Sequence, residues 1–164
     1  MYYSMHYRSP IGDLFLVSNG TALVGLWLEG QKYFGGKLPA AIPDSDLPVF
    51  ATAADWLDRY FRGDRPDPAE LPLAPQGTKF QQRVWQELLK IPYGSTTTYG
   101  EIARTVGKPR ACQAVGGAVG HNPISIIIPC HRVVGAKGQL TGFAGGLDKK
   151  TWLLRHEAEN HYNY

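Results

Sequence analysis

The sequence predicts a mixed α/β (α+β) chain: an N-terminal antiparallel sheet with a helix, followed by a mainly helical C-terminal domain with a helix-turn-helix and a reactive cysteine. Three observations predict it. Short β-rich runs alternate with turn residues over the first thirty positions, later blocks carry apolar residues at helical spacing, and the stretch GDRPDPAELPLAPQG, with four prolines, separates the two regimes. With 164 residues, 43% of them hydrophobic, the chain can bury a sizeable core. The expected domains are 1–76 and 77–164.

The runs MYYSMHYR, DLFLVS and TALVGLWLEG are separated by Ser9-Pro10 with Gly12 and by Asn19-Gly20. Asn-Gly between apolar runs is a strong hairpin signal, so a meander is expected. Residues 35–47 read as loop. In VFATAADWLDRYFRG, Phe50, Ala54, Leu57, Tyr60 and Phe61 fall at helical spacing as core positions, and Gly63 closes the helix. After the proline-rich linker, TKFQQRVWQELLKIP starts with Thr78 as N-cap, carries Phe80, Val84, Leu88 and Ile91 on one stripe, and ends at Pro92.

The block TTTYGEIARTVGKPRACQAVGGAVGHNP reads as helix, turn, helix. Thr98 and Glu101 form an S/T-x-x-E capping box, Gly107 closes the first helix, and Pro109 opens the second. The second helix is weakened by Gly116, Gly117 and Gly120, each interior glycine costing about 1 kcal/mol relative to alanine. Such a helix is being kept slim, either to pack closely on its own domain or to enter a DNA minor groove, which is only about 6 Å wide. With few side chains able to reach base edges, any DNA contact would be largely independent of sequence.

Charge is divided unevenly. Residues 1–78 hold 6 Lys and Arg against 9 Asp and Glu, whereas residues 79–164 hold 11 against 5. The basic second half fits a nucleic-acid-facing domain. No apolar run is long enough to span a bilayer, and MYYSMHYRSP lacks the order of a signal peptide, so a cytoplasmic protein without membrane contact is expected. Cys112 and Cys130 stand alone without CxxC or paired histidines, which argues against a disulfide framework or structural zinc.

The chemistry concentrates in PISIIIPCHRVVG, where an apolar run, expected as a buried strand, meets Cys130, His131 and Arg132. A lone cysteine is most often an inert core thiol. Here His131 and Arg132 would favour thiolate. Adjacent side chains of an extended segment point to opposite faces, so His131 reaches Cys130 only if the chain turns or a water bridges them. The acid that orients the histidine is one of Glu87, Glu101, Asp148, Glu157 and Glu159, and spacing does not choose among them.

PCHRVVG, preceded by AVGGAVGHNP and followed by GFAGGLDKKTWLLRHE, resembles the signature of the O6-alkylguanine-DNA alkyltransferases, or methylated-DNA–protein-cysteine methyltransferases. The likeness runs without a gap from Phe80 to Glu157; the first half resembles the family's ribonuclease-H-like domain only in element order. The resemblance implies DNA repair by direct reversal. A monomer binds the minor groove of double-stranded DNA, flips the lesion out, and moves the alkyl group of O6-alkylguanine, with O4-alkylthymine a second candidate lesion, irreversibly to its own cysteine. No cofactor and no metal are required.

By the same resemblance, Cys130 is the nucleophile, His131 its base through a water, Glu157 the acid that orients His131, and Asn122 the hinge between recognition helix and active-site turn. Tyr99, Gly100, Lys108, Arg110, Gln113, Val119, Arg132, Val133, Phe143 and Ala144 are the expected DNA and base contacts. Two of these depart from the family pattern: Gln113 replaces an arginine that enters the base stack, and Phe143 replaces a tyrosine whose hydroxyl reaches guanine O6. Two other classes compete, a cysteine hydrolase, which would turn over, and a silent lesion binder, which would lack the cysteine.

Overall fold

The structure is a computed structural model that describes all residues except 33, 37, 40, 41, 142, 144, 145 and 162–164, and the side chain of residue 161. Strands β1 (Tyr3–Ser9), β2 (Gly12–Ser18) and β3 (Leu23–Leu28) form an antiparallel sheet in that order. The second turn is wider than a two-residue Asn-Gly hairpin: Asn19 N–H donates to Ala22 O, and Asn19 Oδ1 accepts from the N–H groups of Thr21 and Ala22. Leu14, Leu16, Leu26 and Leu28 are buried on one face of the sheet, while Val17, Val24 and Trp27 form a small second core on the other.

Helix α1 (Pro48–Arg62) packs on the first face. Phe50, Leu57 and Tyr60 are buried as the spacing predicts, but the stripe continues through Ala53 and Trp56 instead of Ala54, which is half-buried. Gly63 ends the helix at φ +100°, a left-handed conformation that favours glycine. The linker makes one 3-10 turn (Pro68–Glu70), capped by Asp67, and beyond it is extended and pinned: Leu23 N–H donates to Pro72 O at 2.8 Å and Ala74 N–H to Leu23 O at 2.7 Å. It covers part of the exposed edge of β3, which would otherwise present unpaired backbone groups.

Helix α2 (Lys79–Leu88) starts in a complete capping box, with Thr78 Oγ1 accepting from Gln81 N–H at 3.1 Å and Gln81 Oε1 from Thr78 N–H at 3.0 Å. Strand β4 (Thr97–Thr98) runs into α3 (Tyr99–Thr105), where Thr98 caps as expected and the Glu101 carboxylate pairs with Arg104. Helix α4 (Cys112–Gly120) begins three residues later than expected, because residues 108–111 close a turn through Ala111 N–H and Lys108 O. Pro109 therefore sits in that turn. Lys108 and Arg110 are exposed ahead of the helix instead of lying on its first turn.

Beyond α4 come a single 3-10 turn over Cys130–Arg132, strand β5 (Val133–Val134) paired in parallel with β4, and helix α5 (Leu147–His161). One continuous core runs from the sheet into α2, α3, α4 and the active-cysteine segment. Among the described residues, no helix is long and apolar enough to cross a membrane.

Candidate active site

The isoleucine segment is not a strand. Ile124, Ile126, Ile127 and Ile128 are buried in a tight turn, held by Ile127 N–H to Ser125 O at 2.8 Å and Ile128 N–H to Ile124 O at 3.0 Å. Ile126 has φ +72°, a conformation that is strained for a β-branched residue. Asn122 holds the turn at both ends, its Oδ1 accepting from Ile124 N–H at 3.0 Å and its Nδ2 donating to Ile128 O at 2.8 Å. The turn is fixed to the sheet by Leu26 N–H to Pro123 O and Ser125 N–H to Leu26 O. Folding the apolar run this way lets Pro129 deliver Cys130 into a 3-10 turn, so Cys130 and His131 do not have to point to opposite faces.

Cys130 is buried, and Asn122 also hydrogen-bonds its thiol. Burial pushes the thiol above its ordinary value, against the Asn122 hydrogen bond, the Lys150 ammonium and the N–H groups of Cys130 and His131. The resting group is a thiol, which corrects the expectation of a thiolate stabilised by His131 and Arg132. Burial pushes His131 below its ordinary value despite Glu157, so the imidazole is neutral near pH 7.

Arg132 turns inward. It is 7% exposed, donates from Nε and Nη2 to the two Glu157 oxygens at 2.8 and 3.0 Å, and from Nη1 to Ile91 O at 2.7 Å. Its expected place at the DNA surface is therefore corrected: the planar fork is consumed by a buried carboxylate.

Glu157, on α5, is the acid that meets His131, at 2.6 Å between Oε2 and Nε2. It also accepts from Tyr60 Oη at 2.6 Å and Gly94 N–H at 3.2 Å. Burial pushes its carboxyl up, but His131 and Arg132 outweigh this and hold it well below the usual carboxylate range. An anionic Glu157 fixes the proton on His131 Nε2 and leaves Nδ1 as acceptor; among the described residues, Nδ1 has no hydrogen-bond partner. Glu87, Glu101 and Asp148 are engaged elsewhere or lie on the surface.

The remaining predicted residues divide by depth. Val119 and Val133 are buried beside the cysteine segment in the shared core, and Phe143 is half-buried against it. The β4–β5 ladder sets Tyr99, the first residue of α3, next to the chain that leaves Cys130. Gly100 is half-buried, while Lys108, Arg110 and Gln113 are exposed around the start of α4. Ala144 lies outside the described residues.

On α4, among the described residues, a Cβ added at Gly117 or Gly120 would meet nothing within 4 Å, and one at Gly116 only the Tyr99 ring at 4.0 Å. Packing within the chain therefore does not require these glycines, which removes one of the two explanations for the slim helix.

Two participants have no sequence signal. Lys150 reads as half of a surface Lys-Lys pair, yet it is buried beside Cys130 and donates to Val133 O at 2.6 Å and Thr141 O at 2.7 Å. Tyr60 reads as one more core aromatic. Among the described residues, no group of three or more His, Cys, Asp or Glu side chains is arranged to hold a metal ion.

Fold and site together define a buried, histidine-backed cysteine carried by a helix-turn-helix domain. The family model described as the 6-O-methylguanine DNA methyltransferase DNA binding domain matches residues 79–159, and that of the family's ribonuclease-like domain matches residues 1–75. The chain belongs to the 6-O-methylguanine DNA methyltransferase family. It is 51% identical to a methylated-DNA–protein-cysteine methyltransferase of Mycobacterium leprae, over 93% of this chain and 89% of that protein. It is 45% identical to one from Haemophilus influenzae, over 96% and 86%. The crystal structure of Mycobacterium tuberculosis OGT in complex with DNA superposes with TM-score 0.84 at 45% identity, covering 97% of this chain and 93% of that one.

Proposed function

We propose that this chain repairs alkylated DNA by moving the alkyl group from guanine O6 to Sγ of Cys130, once per molecule. The observation that carries this reading is the chain of hydrogen bonds that ends in a neutral His131 with Nδ1 as acceptor beside a buried thiol. His131 Nδ1 takes the thiol proton through a bridging water, Sγ attacks the alkyl carbon, the C–O6 bond breaks with its electron pair staying on guanine, and the proton held by His131 is given back through solvent to the departing guanine at N1. Lys150 and Asn122 stabilise the transient thiolate. The thioether has no leaving group, so the protein is consumed, and neither metal nor cofactor enters.

The monomer acts in the cytoplasm, its domains dividing near residues 76 and 77, and approaches duplex DNA from the minor groove. The outward glycines of α4 allow close approach, Lys108 and Arg110 meet phosphates, and Tyr99 with the backbone at Gly100 flanks the lesion. A thiolate cannot reach O6 of a stacked, paired base, so the guanosine is flipped out into a pocket lined by Val119, Val133 and Phe143, while Gln113 enters the vacated stack. The test is stoichiometry. With excess duplex containing O6-methylguanine, restored guanine should level off at one per protein; continued release would indicate a hydrolase, and none a silent binder.

Gln113 and Phe143 set the efficiency. Gln113 can hydrogen-bond an orphaned cytosine but carries no charge. Gln113→Arg should tighten duplex binding roughly 5- to 10-fold at low salt and speed single-turnover repair, measured by fluorescence anisotropy and quenched flow. Phe143→Tyr adds a donor for guanine O6 worth on the order of 1 kcal/mol, so transfer should quicken up to about tenfold at saturating DNA.

A further inference from the structure

We infer that Tyr60, on the N-terminal helix, is a positioning residue for the alkyl-transfer reaction, setting through Glu157 how strongly His131 holds a proton. This rests on the transfer reading above and extends it to a residue 97 positions away from Glu157 in the chain. Tyr60 Oη lies 2.6 Å from Glu157 Oε2, the same oxygen that bonds His131 Nε2 at 2.6 Å. Phenol and imidazole therefore share one acceptor. Whatever density the phenol draws from that oxygen is lost to an imidazolium forming on His131.

The geometry around Tyr60 is closed. Its ring is 1% exposed, stacks on Trp56 with centroids 5.7 Å apart, and meets Phe61 and Tyr93 edge-on at 5.2 and 5.9 Å. The Tyr60 carbonyl accepts from His156 Nε2 at 2.7 Å, so α1 is joined to α5 by two hydrogen bonds at consecutive α5 residues. A core aromatic needs none of this. The hydroxyl alone is directed at the carboxylate, and burial together with Glu157 pushes Tyr60 well above its ordinary value, keeping it a proton donor throughout the working range.

The other charged or titratable groups facing the pair are Arg132 on the cysteine turn, Tyr93 and the Arg65 above it from the intervening loops, Lys150 and His156 on α5, and Cys130. Arg132 already donates one hydrogen bond to each carboxylate oxygen, and Gly94 N–H adds one to Oε1. Tyr60 and Arg132 thus share Oε2 with the histidine, and Tyr60 is the neutral member whose hydroxyl can be removed without stranding a charge.

The experiment measures single-turnover methyl transfer from an O6-methylguanine duplex across the pH range in wild type, Tyr60→Phe and Phe61→Leu, together with thermal unfolding. Losing the phenol makes Glu157 a stronger acceptor and raises the proton affinity of His131. Tyr60→Phe should move the acid limb of the rate profile about half a pH unit upward and, on the plateau above it where His131 is neutral and now the stronger base, quicken transfer about 2-fold. Phe61→Leu, a packing change beside Tyr60, should lower the melting temperature and leave the limb in place.

Substituting 3-fluorotyrosine at position 60 keeps the packing and strengthens the donor, so the limb should move downward. This also decides the matter if Tyr60→Phe folds poorly. Transfer by wild type with limbs that coincide in both position-60 variants overturns the inference and leaves the transfer reading intact. A wild type that takes up no methyl group overturns both.

Discussion

Glu157→Gln should lower stability by about 3–5 kcal/mol and reduce methyl transfer to a small residue of the wild-type rate. The carboxylate balances the buried Arg132 charge through two hydrogen bonds and accepts three more, from His131, Tyr60 and Gly94. An amide keeps the shape but leaves Arg132 without a counter-charge, and breaking a buried pair from one side is among the most destabilising changes available. Urea unfolding reads the loss directly.

The same substitution changes the dependence of stability on pH. The folded Glu157 carboxyl lies well below its ordinary value of 4.5, so its contribution is fully present above that pH and drains away as pH falls below it. His131, pushed below 6.5 in the fold, adds a loss that begins as pH drops through that value, because the unfolded histidine binds the proton more readily. In Glu157→Gln the loss below about pH 4.5 should flatten, while other carboxylates still titrate.

Lys150→Met should slow transfer about 10- to 100-fold at neutral pH, with rates recovering toward alkaline pH. The lysine sits beside a thiol already pushed up by burial, and it ties the Val133 and Thr141 carbonyls together. Methionine preserves the volume and removes the charge. With the cation gone, the thiol holds its proton to higher pH, so the alkaline rise in the single-turnover profile should move upward. Thr141 O keeps the Tyr99 hydroxyl as a donor, so the stability cost, about 1–3 kcal/mol and visible in the melting curve, should come from the buried Val133 carbonyl that loses the ammonium.

How much of this was legible in the sequence depends on the range over which each feature acts. The caps at Thr78 and Thr98 and the apolar faces of α1 and α2 follow from local periodicity, and they fall where the sequence puts them except that α1 buries Ala53 and Trp56 in place of Ala54. The cysteine and its neighbour His131 stand out because reactive residues follow directly on an apolar run, whereas Asn122 is legible only through the family resemblance. Local reasoning failed where a tertiary bond overrides propensity. Isoleucines favour strand, but Asn122 closes them into a turn, and Arg132 looks like a surface cation until Glu157 arrives from the last helix. The 3-10 turn at Cys130 changes which side chains meet, so a thiolate pair inferred from adjacency becomes a thiol with its base oriented from elsewhere.

Lys150 and Tyr60 had no local signature. Each occupies an ordinary helical position and becomes significant only because α5 crosses the cysteine turn and α1 crosses α5. The small residues of α4 were visible, but only the open space around Gly117 and Gly120 separates a helix slimmed for a partner from one slimmed for its own core.

Intact-mass analysis with peptide mapping, after incubation with duplex DNA bearing O6-methylguanine, tests the central claim most directly. The prediction is a single increase of about 14 Da per chain, located on Cys130, absent on Cys112 and absent from Cys130→Ser. An unchanged mass, or methyl found on any other residue, would contradict it.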